Sequence, residues 1–151
     1  MKIIKSKKAF TMVELIFVII VIGILAAVAV PRLAATREDA EITKARVMVA
    51  SVRNALAMER QKRILRGDFT AITAVGSGSN VFDKFSADGS GNQADVVEYP
   101  IVSSTTGGHW SLENGGADYK FNSPAANNPI FVISSGKFVC KAGSDCSALT
   151  N

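Results

Sequence analysis

The sequence predicts an α+β protein in which a long N-terminal α-helix, one half membrane-embedded and the other amphipathic, packs on a small C-terminal antiparallel β-sheet. Three observations predict it. Residues 15–30 form an unbroken apolar run. Residues 42–56 repeat apolar side chains at helical spacing. From Gly67 onward Gly, Ser, Asn and Asp punctuate short apolar runs, as in loops that join strands.

The 151 residues have room for about one domain with a modest core. The hydrophobic fraction is 48%, but much of that excess lies in the first thirty residues. The net charge of +4 points toward nucleic acid or anionic lipid. Four of the seventeen bases, however, are Lys2, Lys5, Lys7 and Lys8; without them thirteen bases face thirteen acids. An asymmetry survives. Residues 32–66 carry nine bases and four acids, and residues 67–151 carry four bases and eight acids, giving a basic stem and an acidic head.

The opening segment, MKIIKSKKAFTMVELIFVIIVIGILAAVAVP, places an acid, Glu14, at the head of the apolar run. A secretory signal peptide cleaved after the A-x-A triplet Ala27-Val28-Ala29 fits the basic start and apolar centre. A plain membrane anchor fits the length, since residues 10–30 are about enough to cross a 30 Å hydrocarbon layer. Neither explains Glu14, because a carboxylate in an apolar segment costs on the order of 2.5–3.5 kcal/mol and so implies a partner. A cut between Ala9 and Phe10 supplies one. The new α-amino group of Phe10, with an ordinary pKa of about 7.7–8.0, lies one helical turn before Glu14. It can neutralise the Glu14 of its own chain or of a staggered neighbour.

The residues KKAFTMVELIFVIIVIGILAAVAVP resemble the N-terminal signature of type IV prepilins and type II secretion pseudopilins. The resemblance covers about the first sixty residues and implies the pilin fold. It implies cleavage by prepilin peptidase between Ala9 and Phe10, N-methylation of Phe10 with Thr11 its neighbour, Glu14 as the assembly glutamate and Pro31 as the helix-kinking proline. The family usually has Gly where this chain has Ala9; alanine is the next smallest side chain, so cleavage is expected to survive at a lower rate. The four leader lysines keep the N-terminus cytoplasmic by the positive-inside rule. With no second apolar run the chain reads as single-pass, its head periplasmic.

The division expected is therefore a leader at 1–9, a membrane and assembly helix at 10–31, an amphipathic stem helix at 32–66 and a globular head at 67–151. Ile42, Ala45, Val49, Val52 and Leu56, flanked by Met48 and Ala55, recur at steps of three and four and mark the stripe that docks on the sheet. A helix over residues 10–66 is about 85 Å long, too long for a compact domain of this size. Pro31 and Gly23 weaken it; Pro31 marks either the exit from the bilayer or a place where the packed stem bends. Gly23, with Ala26 and Ala27, permits close helix approach. Arg60, Lys62, Arg63 and Arg66 read as a solvated face, with Glu59 placed to pair with Arg63; contact with DNA is the sharper alternative.

In the head, GSGSN at 76–80 and DGSGN at 88–92 bound a variable loop region. Strands are expected at 96–102, 110–112, 119–121, 130–133 and 138–140, the last two joined by SSGK as a tight hairpin. Short sequential connections favour an antiparallel sheet with one face on the stem. Cys140 and Cys146 pair as a disulfide in an exported chain, and they resemble the C-terminal disulfide loop of many pilins, although theirs is often longer. Asp88, Asn92 and Asp95 are weak candidates for calcium, whose oxygen ligands a Gly-rich loop can supply, but the spacing is not that of an EF-hand. No other cofactor or metal is expected.

The single histidine, His109, has no nucleophile and orienting acid that the sequence places beside it, and no phosphate-binding loop is present. The chain is not expected to be an enzyme. The function expected is that of a structural subunit of a type IV pilus-class filament, assembled from the bacterial inner membrane either as a cell-surface pilin or as a periplasmic secretion pseudopilin. Its partners are then copies of itself, other pilin-like subunits, prepilin peptidase and the assembly platform. A minor pilin of a DNA-uptake pilus, with nucleic acid as partner, and an anchored periplasmic binding module that forms no filament remain as alternatives.

Overall fold

In a computed structural model, residues 10–150 are described, apart from the side chains at 34 and 35. Residues 1–9, the expected leader with Ala9 and the four lysines, lie outside the described residues. The chain divides into two compact units, Met1–Arg37 and Glu38–Asn151. One helix, α1, contributes to both and runs Met12–Leu65, 54 residues with Pro31 inside it.

Within the second unit α1 buries Ala45, Val49, Val52 and Leu56, each at most 2% exposed, with Ile42, Met48 and Ala55 packed beside them. The stripe continues through Glu59 at 4% and Arg63 at 1%. Steps of three and four from Leu56 lead to 59 and 63, so the face that holds the apolar side chains holds these charges as well. Arg63 therefore does not lie on a solvated face as the charge pattern suggests. The pairing with Glu59 stands, with Arg63 Nε 3.0 Å from Glu59 Oε1. The guanidinium also donates to the carbonyls of Ser86 at 2.6 Å and Ala87 at 3.5 Å. Helix end and following loop are thereby tied through one buried side chain. Gly67, at φ +78°, then ends the helical turn, where its N–H meets the carbonyl of Ile64.

Six strands follow: β1 (Asn80–Val81), β2 (Ile101–Val102), β3 (His109–Glu113), β4 (Asp118–Asn122), β5 (Ile130–Ser134) and β6 (Lys137–Cys140). β1 and β2 pair antiparallel as a small ribbon, and β3–β4–β5–β6 form a four-stranded antiparallel sheet in chain order. The last four expected strands are present, each within two residues of its expected bounds. The expected strand at 96–102 shrinks to Ile101–Val102. Pro100 removes a backbone donor just before it, and the preceding turn exposes Glu98 and Tyr99. Val96 is buried on its own, its N–H donating to the carbonyl of Asp83.

β5 and β6 join through Ser135-Gly136, with φ of +51° and +69° and Ser134 opposite Lys137. Positive φ at both central residues is what a two-residue hairpin needs to match strand twist. The core over the sheet is aromatic. Phe82 lies edge-on to Trp110 at 5.1 Å and Phe138 at 5.7 Å, and Phe131 stacks on Phe138 at 4.9 Å. Tyr119 is fully buried, and its hydroxyl accepts the N–H of Val75 at 2.9 Å.

Both margins of the four-stranded sheet are occupied by other groups. Outside β3, Ser104 N–H donates to the carbonyl of Trp110 and Leu112 N–H to Ser103 Oγ. Outside β6, Arg53 Nε on α1 donates to the carbonyl of Phe138 at 3.1 Å. Beyond β6, Cys140 and Cys146 form a disulfide with Cα atoms 6.0 Å apart, and the short helix α2 (Ser147–Thr150) buries Leu149. Arg46 Nε on α1 holds the carbonyl of Ala148 at 2.6 Å.

Candidate assembly segment

Phe10 and Thr11 precede α1, and Thr11 begins it. The N–H of Glu14 donates to Thr11 Oγ1 at 3.2 Å, and the N–H of Leu15 to the carbonyl of Thr11 at 3.1 Å. Thr11 is thus the N-cap and Glu14 the third helical residue, the T-x-x-E arrangement of a capping box. A carboxylate in the first turn also faces the positive end of the helix dipole. Thr11 is the residue that charge reasoning about Glu14 passes over, and its signal is local and plain: a hydroxyl three positions before an acid at the start of an apolar run.

Past Glu14 the helix surface is apolar all round. The large apolar side chains of residues 15–30 are between 37% and 66% exposed, so nothing among the described residues covers them. The helix is long and apolar enough to cross a membrane. A Cβ on Gly23 meets nothing within 4 Å, which leaves that face open. α1 continues through Pro31, whose missing N–H leaves the carbonyl of Ala27 without its usual donor four residues on. Five residues later Thr36 Oγ1 donates back to the carbonyls of Arg32 and Leu33 at 3.2 and 3.0 Å.

Residues 4–30 match the family model of the prokaryotic N-terminal methylation motif. That is the type IV pilin and pseudopilin signature. It spans residues 4–9, Phe10, the Thr11–Glu14 cap and the exposed apolar helix, stopping just before Pro31. No curated protein and no solved structure matches the chain significantly.

The other residues singled out by sequence fall elsewhere. Asp88 Oδ1 accepts the N–H groups of Ser90 and Asn92 at 3.0 and 2.8 Å, and Arg66 approaches its Oδ2 at 3.8 Å. The Asn92 N–H holds this carboxyl below its ordinary range. Asp88 so closes its own loop, while Asp95 pairs by backbone with Lys84. Among the described residues no group of three or more His, Cys, Asp or Glu side chains is placed to hold a metal. His109 is exposed at the start of β3, its Nδ1 3.0 Å from the carbonyl of Gly107. Arg60 and Lys62 are exposed, as is Arg66, which lies 3.6 Å from Glu59.

Proposed function

We propose that this chain is a structural subunit of a type IV pilus-class filament. On this reading prepilin peptidase cuts between Ala9 and Phe10, Phe10 is N-methylated, and the apolar half of α1 waits in the inner membrane with the head outside the cytoplasm. Extraction into a helical assembly then exchanges lipid for the stems of neighbouring copies. The observation that carries the reading is the capped helix whose apolar surface, beginning just past Glu14, is exposed on every side within a methylation motif. Such a surface is stable against lipid or against copies of itself. Pilin and secretion pseudopilin are the same chemistry at this segment; deleting the subunit and comparing exported enzyme with surface fibres separates them.

Glu14 has two possible duties, the second suggested by its place three residues after the N-cap Thr11. As an ion-pair partner it meets the Phe10 amine of a neighbour; as a capping residue it starts its own helix. Glu14→Gln keeps the capping-box side chain and removes the charge, whereas Glu14→Val removes both. Both variants are expected to insert in the membrane and to lose filaments, scored by shearing and immunoblot, with the mature N-terminus read by mass spectrometry. Normal filaments from Glu14→Gln would assign Glu14 to the cap and sink the ion pair.

A further inference from the structure

We propose that the groove between α1 and β6 receives the 98–100 turn of a second copy of this chain, so that heads join head to tail. This rests on the filament reading above.

The groove has a volume of about 560 Å³ and continues into a hollow of about 320 Å³ that shares Arg60, Ile64 and Gly136. Its walls are apolar where Ile64, Phe138 and Val139 line it. Its charges are Arg53, Arg60 and Lys137. Arg53 spends its Nε on the carbonyl of Phe138, while among the described residues neither Arg60 nor Lys137 has an ion pair or side-chain hydrogen bond. Ile64 is 48% exposed. The groove is therefore apolar and cationic; the hollow beside it adds Arg63, paired with Glu59, and the Asp68 carboxylate, which accepts the N–H groups of Thr70 and Gly89.

The complement lies on the same unit at the other side of the sheet. β6 is one edge; beyond the opposite edge, against β3, packs the β1–β2 ribbon, and residues 98–100 lead directly into β2. There Glu98 is exposed without an ion pair among the described residues, Tyr99 is 80% exposed and Pro100 stiffens the turn. Tyrosine and arginine are among the residue types enriched at the energetic centre of protein interfaces, and opposite charges fix the register. A donor and an acceptor on opposite margins of one unit cannot satisfy each other within it. Between copies they make a heterologous contact, which propagates as a fibre when the rotation does not close.

The test uses the full chain in its own membrane, carrying Gln61→Cys in the groove and Val102→Cys just past the 98–100 turn. Cys140 and Cys146 are tied to each other, so a short bismaleimide reacts with the introduced thiols alone. A ladder of dimers, trimers and higher products is expected in membranes and in sheared filaments. In this cysteine-pair background Arg60→Glu and Glu98→Arg each abolish the ladder, and the two together restore it. All variants keep the wild-type melting temperature, because the side chains at 60, 61, 98 and 102 are all exposed.

Filaments without a ladder overturn the contact and leave the filament reading standing. A ladder without filaments does the reverse. A product that stops at dimer overturns the head-to-tail arrangement in favour of a closed pair. Absence of both ladder and filaments overturns both, and duplex DNA retained by the full chain but not by Arg60→Glu, with no ladder, gives the groove to nucleic acid instead.

Discussion

Glu59 and Arg63 stand where the stripe of α1 runs out of apolar side chains, and their burial makes them a structural pair. Side-chain exposures of 5% and 2% remove them from water together. Breaking such a pair leaves an uncompensated charge inside, which costs more than the intact pair contributes. Arg63→Ala is expected to destabilise the head by about 3 kcal/mol, measured by urea denaturation of the detergent-solubilised chain followed by Trp110 fluorescence. The double variant Glu59→Leu, Arg63→Met is expected to lose less than Arg63→Ala, because no charge is left behind and only the carbonyls of Ser86 and Ala87 lose a donor. An Arg63→Ala chain as stable as wild type would remove the pair from the list of things that hold the head together. The spacing of Glu59 and Arg63 is legible in the sequence as a helical i, i+4 pair. Their burial is not, because the carbonyls of Ser86 and Ala87 that complete it arrive from more than twenty residues away. Thr11 is the converse: its capping bond is wholly local and readable from T-x-x-E, yet an anomalous acid in an apolar run draws attention past it.

Among the elements, the strands β3–β6 are legible because each alternates or clusters aromatic and β-branched residues between glycines and asparagines that the turns require. β1 is not, since two residues inside a Gly- and Ser-rich stretch carry no periodicity, and β2 is overdrawn because Val96, Val97 and Ile101 look like one strand until Pro100 interrupts them. The disulfide is the element whose contribution is simplest to isolate. By the loop-entropy estimate, closing so small a ring contributes about 2.4 kcal/mol. Replacing both Cys140 and Cys146 with serine is expected to lower head stability by that order, read as a shift of the urea midpoint. Protection of α2 amides should be lost before that of β3–β6, because the ring anchors the segment that carries the buried Leu149. An unchanged midpoint would mean that Leu149 and the Arg46 contact hold the segment unaided.

At the scale of the whole molecule, acid and alkali act on different places. The Thr70 hydroxyl and the Gly89 N–H hold the Asp68 carboxyl down to about 2 from its usual 3.8, and Asp88 and Asp145 are lowered by the Asn92 N–H and the Ser147 side chain respectively. The unfolded chain therefore takes up these protons first. Their contribution is whole above about pH 4 and is lost as pH falls toward 2. Burial raises the Tyr119 hydroxyl above its usual 10.0, so its contribution is whole below about pH 10 and is lost as pH rises beyond it. A melting-temperature profile flat between pH 5 and 9 and falling on both sides is expected. Asp68→Asn should flatten the acid limb and Tyr119→Phe the alkaline one; an acid limb unchanged by Asp68→Asn would show that the loop carboxyl adds nothing.

The occupied margins of the sheet bear on how such a chain survives crowding. A bare strand edge is a template for any extended chain that drifts past, and a membrane stocked with identical subunits would present that template at high density. Here Ser103 and Ser104 stand along one margin, and a guanidinium on the helix takes an outward carbonyl on the other. Backbone zippering of the amyloid kind is thereby obstructed at both ends, and recognition between heads is left to side chains, which can be selective and reversible where a bare peptide edge is neither.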